Sequence, residues 1–383
     1  MITLKGITWD HKRGYDPLIA TTKSFAKEHP DIEITWNKRT LKEFGDMPVS
    51  GLAETYDLLL IDHPFTGEAY DKGLFADLSK QIPAPVMKVV RDNEIGSTFS
   101  SYTWEGTQQA LPVDTAAQVA AVREDLLDRV GSARPNTLDE LWTLAKELPA
   151  GVHILTPLCP TDIFCIFLSM GGAHMGQAYI TRERGINLSA AEFAVEQIKR
   201  LKEISHEKSL TYNPILTLEH MTNSDEIIYA PFLFGYVNYS MQGALKPIRF
   251  HNSPLWQEAK TATVLGGVGI AVSAKCAHVE AAVRYVQYVT DPAVQAGEYF
   301  LSGGQPALRS AWESDETNKL ANNFFRNTIQ TIERAYLRPR FPGWNRFQEK
   351  GGDLLHELVV KDAPSREIAV AMNELLCKEL DLK

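Results

Sequence analysis

Residues 111–148 read LPVDTAAQVAAVREDLLDRVGSARPNTLDELWTLAKEL, and in this stretch the chain leaves one folded body and begins another. Pro112-Val113-Asp114-Thr115 predicts a turn, TAAQVAAV is an apolar run suited to a strand, and EDLLDRV is a short helix stopped at Gly131. A second helix follows at once. Pro135 and Thr137-Leu138-Asp139-Glu140 form a capping box, in which the Thr137 hydroxyl and the Glu140 carboxylate each satisfy an orphan backbone N–H. Leu138, Leu141, Trp142, Ala145 and Leu148 then line one apolar face.

Towards the N-terminus, ITLKGITW alternates as a short strand and ends in a polar cluster, Trp9-Asp10-His11-Lys12-Arg13-Gly14-Tyr15. Asp16 reads as an N-cap and Pro17 as the first helical residue, with Leu18, Ile19, Thr22, Phe25 and Ala26 as the apolar stripe and His29-Pro30 as the stop. IEITWNKR, residues 32–39, alternates as a second strand. YDLLLID, residues 56–62, is a continuous apolar run of the kind a central parallel strand needs. The order is βαβ.

Towards the C-terminus, residues 153–158 predict a strand and residues 162–170 a helix closed by Gly171-Gly172. Ser189-Ala190-Ala191-Glu192 predicts another capping box, followed by a stripe of Phe193, Val195, Ile198, Leu201 and Ile204. Residues 227–239, IIYAPFLFGYVNY, form an apolar aromatic run. Gly235 within it marks either a close backbone approach or a plain buried turn. LGGVGIAVS, residues 265–273, predicts a return crossing. Its glycines are not a dinucleotide fingerprint, because Val272 stands where the third glycine belongs and a strand follows where a helix is required.

This order of signals resembles extracellular solute-binding protein family 1, the maltose-binding-protein-like receptors of ABC importers. The resemblance rests on Leu111-Pro112 with Asp114-Thr115, on Pro135 with Thr137 and Glu140-Leu141, and on Phe25 with His29-Pro30, Ile32 and Ile34. YDLLLID, AYDKGLFADL at residues 69–78, the 265–273 segment and Asp291-Pro292-Ala293 follow in the family's order, as do GGQPA at 303–307 and RPRFPGW at 338–344. It implies an α/β, two-lobed periplasmic-binding-protein-like fold of type II. Lobe one would be residues 1–114 and 268–307, lobe two residues 115–267 and 308–383, with hinges near 114–115 and 267–268. The function implied is capture of a small polar solute between the lobes by hinge closure, as the substrate-binding component of an ABC importer. The expected partner is the transporter's permease, the expected state a monomer, and no cofactor or metal is expected.

Composition agrees with two ordinary domains. At 383 residues the chain exceeds what one core organises, and 44% hydrophobic with 23% charged residues is globular usage. A net charge of −9 without a basic run argues against nucleic acid or an anionic membrane as main partner. Cys159, Cys165, Cys276 and Cys377 read as free core thiols, with a Cys159 to Cys165 disulfide as the alternative. Residues 1–10 carry no export signal. The expected compartment is therefore the periplasm or cell envelope if a leader was removed, and the cytoplasm if Met1 is the native start.

Ligands of open α/β sheets bind outside the carboxyl ends of the strands. Three such ends carry polar groups: Trp9-Asp10-His11, Asp62-His63 and Asp114-Thr115. Carboxylates accept from hydroxyls and flat rings cover the apolar face of a sugar, so Asp with Trp or Tyr is the inventory of a carbohydrate site. The aromatic candidates are Trp9, Tyr236 and Trp344, and Gly267 at the return crossing completes the set. Competing readings make Asp10 and Asp62 helix caps and Trp9 a core residue. Arg13 is either a solvated surface charge or, with His11, His63 or Arg340, a clamp for a small carboxylate or phosphate. No His-Glu-x-x-His, Gly-x-Ser-x-Gly, Walker loop or zinc spacing occurs. The reading is a binding protein with no catalytic residues, against a cytoplasmic sensor or enzyme on the same scaffold. On this reading, replacing Asp114 or Trp344 with Ala weakens binding far more than stability.

Overall fold

The computed structural model describes residues 1–46, 48–243 and 246–381. They fall into two compact units: residues 1–116, 266–318 and 340–345 form the first, and residues 117–265, 319–339 and 346 onward the second. Residues 308–318 and 340–345 thus belong with the first unit, whereas the family resemblance puts everything after 307 in the second lobe. Among the described residues no helix is long and apolar enough to cross a membrane.

In the first unit the strands run Ile32–Arg39, Ile2–Trp9, Leu58–Ile61, Leu265–Val272 and the start of Leu111–Val122. Ile2–Trp9 pairs in parallel with Ile32–Arg39 from Ile2 opposite Ile32 to Trp9 opposite Arg39. It pairs in parallel with Leu58–Ile61 on its other side. The apolar run of that third strand is explained by burial on both faces. Leu58 and Leu60 enter one core with Leu4, Phe25 and Tyr285, while Leu59 and Ile61 enter a second with Phe65 and Tyr102. Its outer neighbour Leu265–Val272 is antiparallel, with Gly269 opposite Ile61 and Val272 opposite Leu58. The strand is central, and parallel on one side only.

Two local expectations change here. Pro112 to Thr115 do not turn; they lie in a single strand, Leu111–Val122, buried along its whole length. The first helix begins earlier than Asp16, at Lys12–Glu28, because the His11 ring nitrogen accepts from Arg13 N and caps it. Pro17 therefore sits inside the helix.

In the second unit, Leu111–Val122 continues antiparallel to Ile227–Phe234, which pairs in parallel with His153–Ile154. The ladder shifts register between Ala230 and Leu233, the place of Pro231, which has no N–H to donate. Arg249–His251 also pairs antiparallel with Leu111–Val122. Helix Pro160–Met175 is buried from Asp162 to Ala173 on every face, as an apolar helix in a core must be. Gly171 and Gly172 do not close it. A Cβ on Gly171 would stand 2.1 Å from the Tyr179 ring and one on Gly172 2.5 Å from the Tyr336 ring, so the glycines admit those rings, and the helix ends at Gly176. The strand expected at 153–158 is only His153–Ile154.

Thr137 caps helix Leu138–Glu147 by accepting from Glu140 N at 3.2 Å, while the Glu140 carboxylate reaches Asn136 N, one residue further back than a capping box requires. Helix Leu188–Ile204 is capped by Asn187, whose side chain accepts from Ala190 N, and Ser189 lies inside it.

Candidate functional site

Eleven of the twelve sequence-derived site residues lie in the first unit, and Tyr236 lies in the second. The carboxyl ends of Ile2–Trp9 and Leu58–Ile61 are neighbours by register, so residues 9–11 and 62–63 emerge at the same edge of the sheet.

At the first end, Trp9 is 4% exposed and belongs to the core. Gly14 lies against its ring, where a Cβ would stand 2.4 Å away, and Phe44 packs 5.2 Å from its centroid. Core packing, the competing reading, accounts for this placement. Asp10 is exposed and pairs with Lys38 at 2.7 Å, so it caps nothing. His11 is the cap.

At the second end, the Asp62 carboxylate accepts from His63 N at 2.9 Å and caps the turn His63–Phe65. The His63 ring is fully buried and meets the Tyr102 ring edge to face at 6.3 Å.

Arg13 is neither a solvated charge nor an open clamp. It is 4% exposed, and its Nε and a terminal nitrogen donate to the two oxygens of Asp114 at 2.7 and 2.5 Å. Burial pushes the Asp114 carboxyl up, and the guanidinium beside it pulls the other way. A fork that can only donate needs the carboxylate, so the pair stands as an ion pair.

Next to it, the Thr115 backbone is held from both sides by one residue: Thr115 N donates to Gln305 O at 3.3 Å and Gln305 Nε2 donates to Thr115 O at 2.6 Å. Gly267 faces the same place. Its φ is +119°, and a Cβ there would lie 2.5 Å from the Asp114 carbonyl oxygen. The residues where the two connections leave the first unit are therefore packed backbone to backbone.

Arg340 donates to the carbonyls of Ser100, Ser101 and Thr103 at 2.9, 2.8 and 3.0 Å and lies over the Trp104 ring. Trp344 is fully buried beside Phe341. In the second unit, Tyr236 is 5% exposed and precedes the turn Val237–Tyr239. Gly235 before it is a close approach: a Cβ would stand 2.9 Å from the Val119 side chain.

Two residues of this region were not found from sequence. Arg39 ends the second strand opposite Trp9, is 8% exposed, and donates to the carbonyls of Glu43 and Leu60. Burial lowers its pKa to about 10. Its place at the end of an alternating strand was the available signal. Gln305 had none beyond its Gly-Gly-Gln-Pro turn.

The family profile described as bacterial extracellular solute-binding protein matches residues 8–296. The chain belongs to this family, and its α/β architecture is the two-lobed periplasmic-binding-protein fold. Solved structures agree in fold. A maltose-bound T. maritima MalE3 is 18% identical with a TM-score of 0.84, over 100% of this chain and 99% of that one. An ABC transporter solute-binding protein from Agrobacterium radiobacter K84 in complex with ribitol is 18% identical with a TM-score of 0.79, at the same coverage. The GacH receptor of Streptomyces glaucescens GLA.O is 16% identical with a TM-score of 0.80, over 99% and 98%. No curated protein sequence matches the chain.

Proposed function

We propose that this solute-binding protein takes a neutral polyhydroxylated ligand, a sugar or sugar alcohol, delivers it unchanged to an ABC permease, and acts as a monomer. The observation that carries the ligand class is the state of three arginines of the first unit. Arg13 is engaged by Asp114, Arg39 by two carbonyls and Arg340 by three. A carboxylate or phosphate ligand calls for a guanidinium fork open to it. Hydroxyls call instead for acceptors, and the Asp10 and Asp62 carboxylates supply these at the strand ends. Maltose, ribitol and alpha-D-tagatose in the similar structures point the same way. Bending at residues 114–115 and 267–268 belongs to this reading.

A thermal-shift screen of sugars, polyols, amino acids and small carboxylates tests it. A ligand at 100 times its Kd stabilises the fold by about 2.7 kcal/mol. The expected result is a shift confined to sugars or polyols, with the ligand recovered intact by mass spectrometry and at least tenfold weaker binding in Asp62→Ala. A shift with carboxylates alone, or a converted ligand, would overturn it.

A further inference from the structure

The second unit gathers three histidines and a glutamate from four separate segments. His153 opens its strand, His206 follows helix Leu188–Ile204, His220 lies in the last turn of helix Pro214–Asn223, and Glu226 precedes strand Ile227–Phe234. His206 Nε2 lies 3.2 Å from one Glu226 oxygen and His220 Nε2 2.8 Å from the other. The His153 ring meets the His206 ring edge to face at 5.1 Å. Ligand atoms of His153, His206 and Glu226 all fall within 4.8 Å of one another.

The backbone holds this group together independently of the side chains. His153 N donates to Glu226 O, and His206 N donates to Ile154 O, each at 2.8 Å. Three of the four residues are therefore tied to one another through main-chain bonds, and their side chains, all half-buried, project from a fixed frame.

We propose that this cluster is a binding site for a divalent transition metal, with His153, His206 and Glu226 as ligands. Two imidazoles and one carboxylate are the donor set of zinc and its first-row neighbours, and a poor set for magnesium or calcium, which take oxygens. Tetrahedral zinc at about 2.1 Å from each donor brings the donors to about 3.4 Å apart. The side chains close in by rotation to reach that geometry. His220 holds the second oxygen of Glu226 and orients the carboxylate from behind, as supporting residues of metal sites do.

Loading also has a proton consequence. His206 Nδ1 accepts from Lys208 N at 3.2 Å, so the neutral ring carries its proton on Nε2 and donates it to Glu226. Metal at Nε2 leaves the single ring proton on Nδ1, which releases Lys208 N and loosens the turn Glu207–Leu210. No compact zinc spacing announces the site in the sequence, because its ligands are 53 and 20 residues apart (153 to 206, then 206 to 226).

The cluster stands at the amino ends of two parallel strands, His153–Ile154 and Ile227–Phe234. Tyr236 follows the opposite end of the second strand, whose eight residues span roughly 26 Å at 3.3 Å each. The metal cluster therefore lies at the opposite end of that strand from Tyr236.

Isothermal titration of the full chain with ZnCl2 in a non-chelating buffer tests the proposal. The expected outcome is one saturable site, no binding of MgCl2, at least about tenfold weaker zinc binding in His153→Gln and in His206→Gln, and about tenfold in His220→Gln. His278→Gln, at an exposed histidine outside the cluster, should leave binding unchanged. As a second measurement on the wild-type chain, zinc should protect His153 and His206 from diethyl pyrocarbonate, read by peptide mass spectrometry. Absence of saturable binding, wild-type affinity in folded His153→Gln and His206→Gln, or modification of both rings at the same rate with and without zinc would each overturn it.

Discussion

The Arg13 guanidinium holds the Asp114 carboxylate through two hydrogen bonds, at 2.7 and 2.5 Å, although the residues stand 101 positions apart. Both are buried, so the pair joins the first helix to the strand that leaves the first unit. Removing one partner leaves an uncompensated charge in the interior. Asp114→Ala should cost about 3–5 kcal/mol of stability, and the double variant Arg13→Met with Asp114→Leu should recover most of that. Urea denaturation of the three proteins checks it, and a double variant as weak as the single one would count against a mainly electrostatic role. Trp344→Ala should cost about 3–5 kcal/mol as well, because that ring is fully buried. Losses of this size, with ligand affinity kept in the folded variants, would run against the expectation that these positions act on binding before stability.

Gly267 is required by its backbone and by its neighbour. With φ at +119° and the Asp114 carbonyl 2.5 Å from where a Cβ would stand, Gly267→Ala should destabilise by more than about 1 kcal/mol. Gly51, in a short helix where an added Cβ would meet nothing within 4 Å, is the control. Gly51→Ala should be neutral or stabilise by about 0.5–1 kcal/mol. Equal melting temperatures for the two variants would remove the steric account of Gly267.

Three of the four thiols should be inert in the folded state. Cys159 Sγ donates to the Asp162 carboxylate at 3.0 Å, and burial together with that negative charge pushes the thiol far up. Burial raises Cys276 to about 12, and Cys165 is buried outright. None forms a disulfide. Because the thiolate is the reactive form, iodoacetamide at pH 8 should leave Cys159, Cys165 and Cys276 unmodified in the native protein and label them all in guanidinium chloride. Peptide mass spectrometry reads both states, and rapid native labelling of Cys159 would contradict the hydrogen bond to Asp162.

What was legible in the sequence was whatever depends on a run of neighbours. Leu58 to Ile61 read as a central strand because four consecutive apolar residues need two covered faces, and the structure supplies a core on each. Thr137 read as a cap because its partner is three residues away. The misread helix starts have local causes too: a histidine ring at His11 and an amide at Asn187 outcompeted the more familiar caps Asp16 and Ser189. The site was legible only as an edge of the sheet. Arg13 and Asp114 carry the residue types of a ligand site, yet they satisfy each other, and nothing within ten residues of either says so. Gln305 reaches Thr115 across 190 positions and is invisible for the same reason.

His251 should make stability depend on pH near neutrality. Burial is the main cause that lowers its pKa below the ordinary 6.5, with the positive charge of Arg134 adding to it and the hydrogen bond to Glu124 opposing it. A histidine whose folded pKa is depressed binds its proton first in the unfolded chain. As pH falls below about 6.5 the unfolded state therefore gains protons that the folded state does not, and stability declines until the folded pKa is passed. Urea denaturation at pH 7.5 and 5.5 should show this loss in the wild type and a smaller one in His251→Gln, where the titrating ring is gone and an amide can still donate to Glu124. An unchanged difference between the two pH values in the variant would assign the slope to other groups.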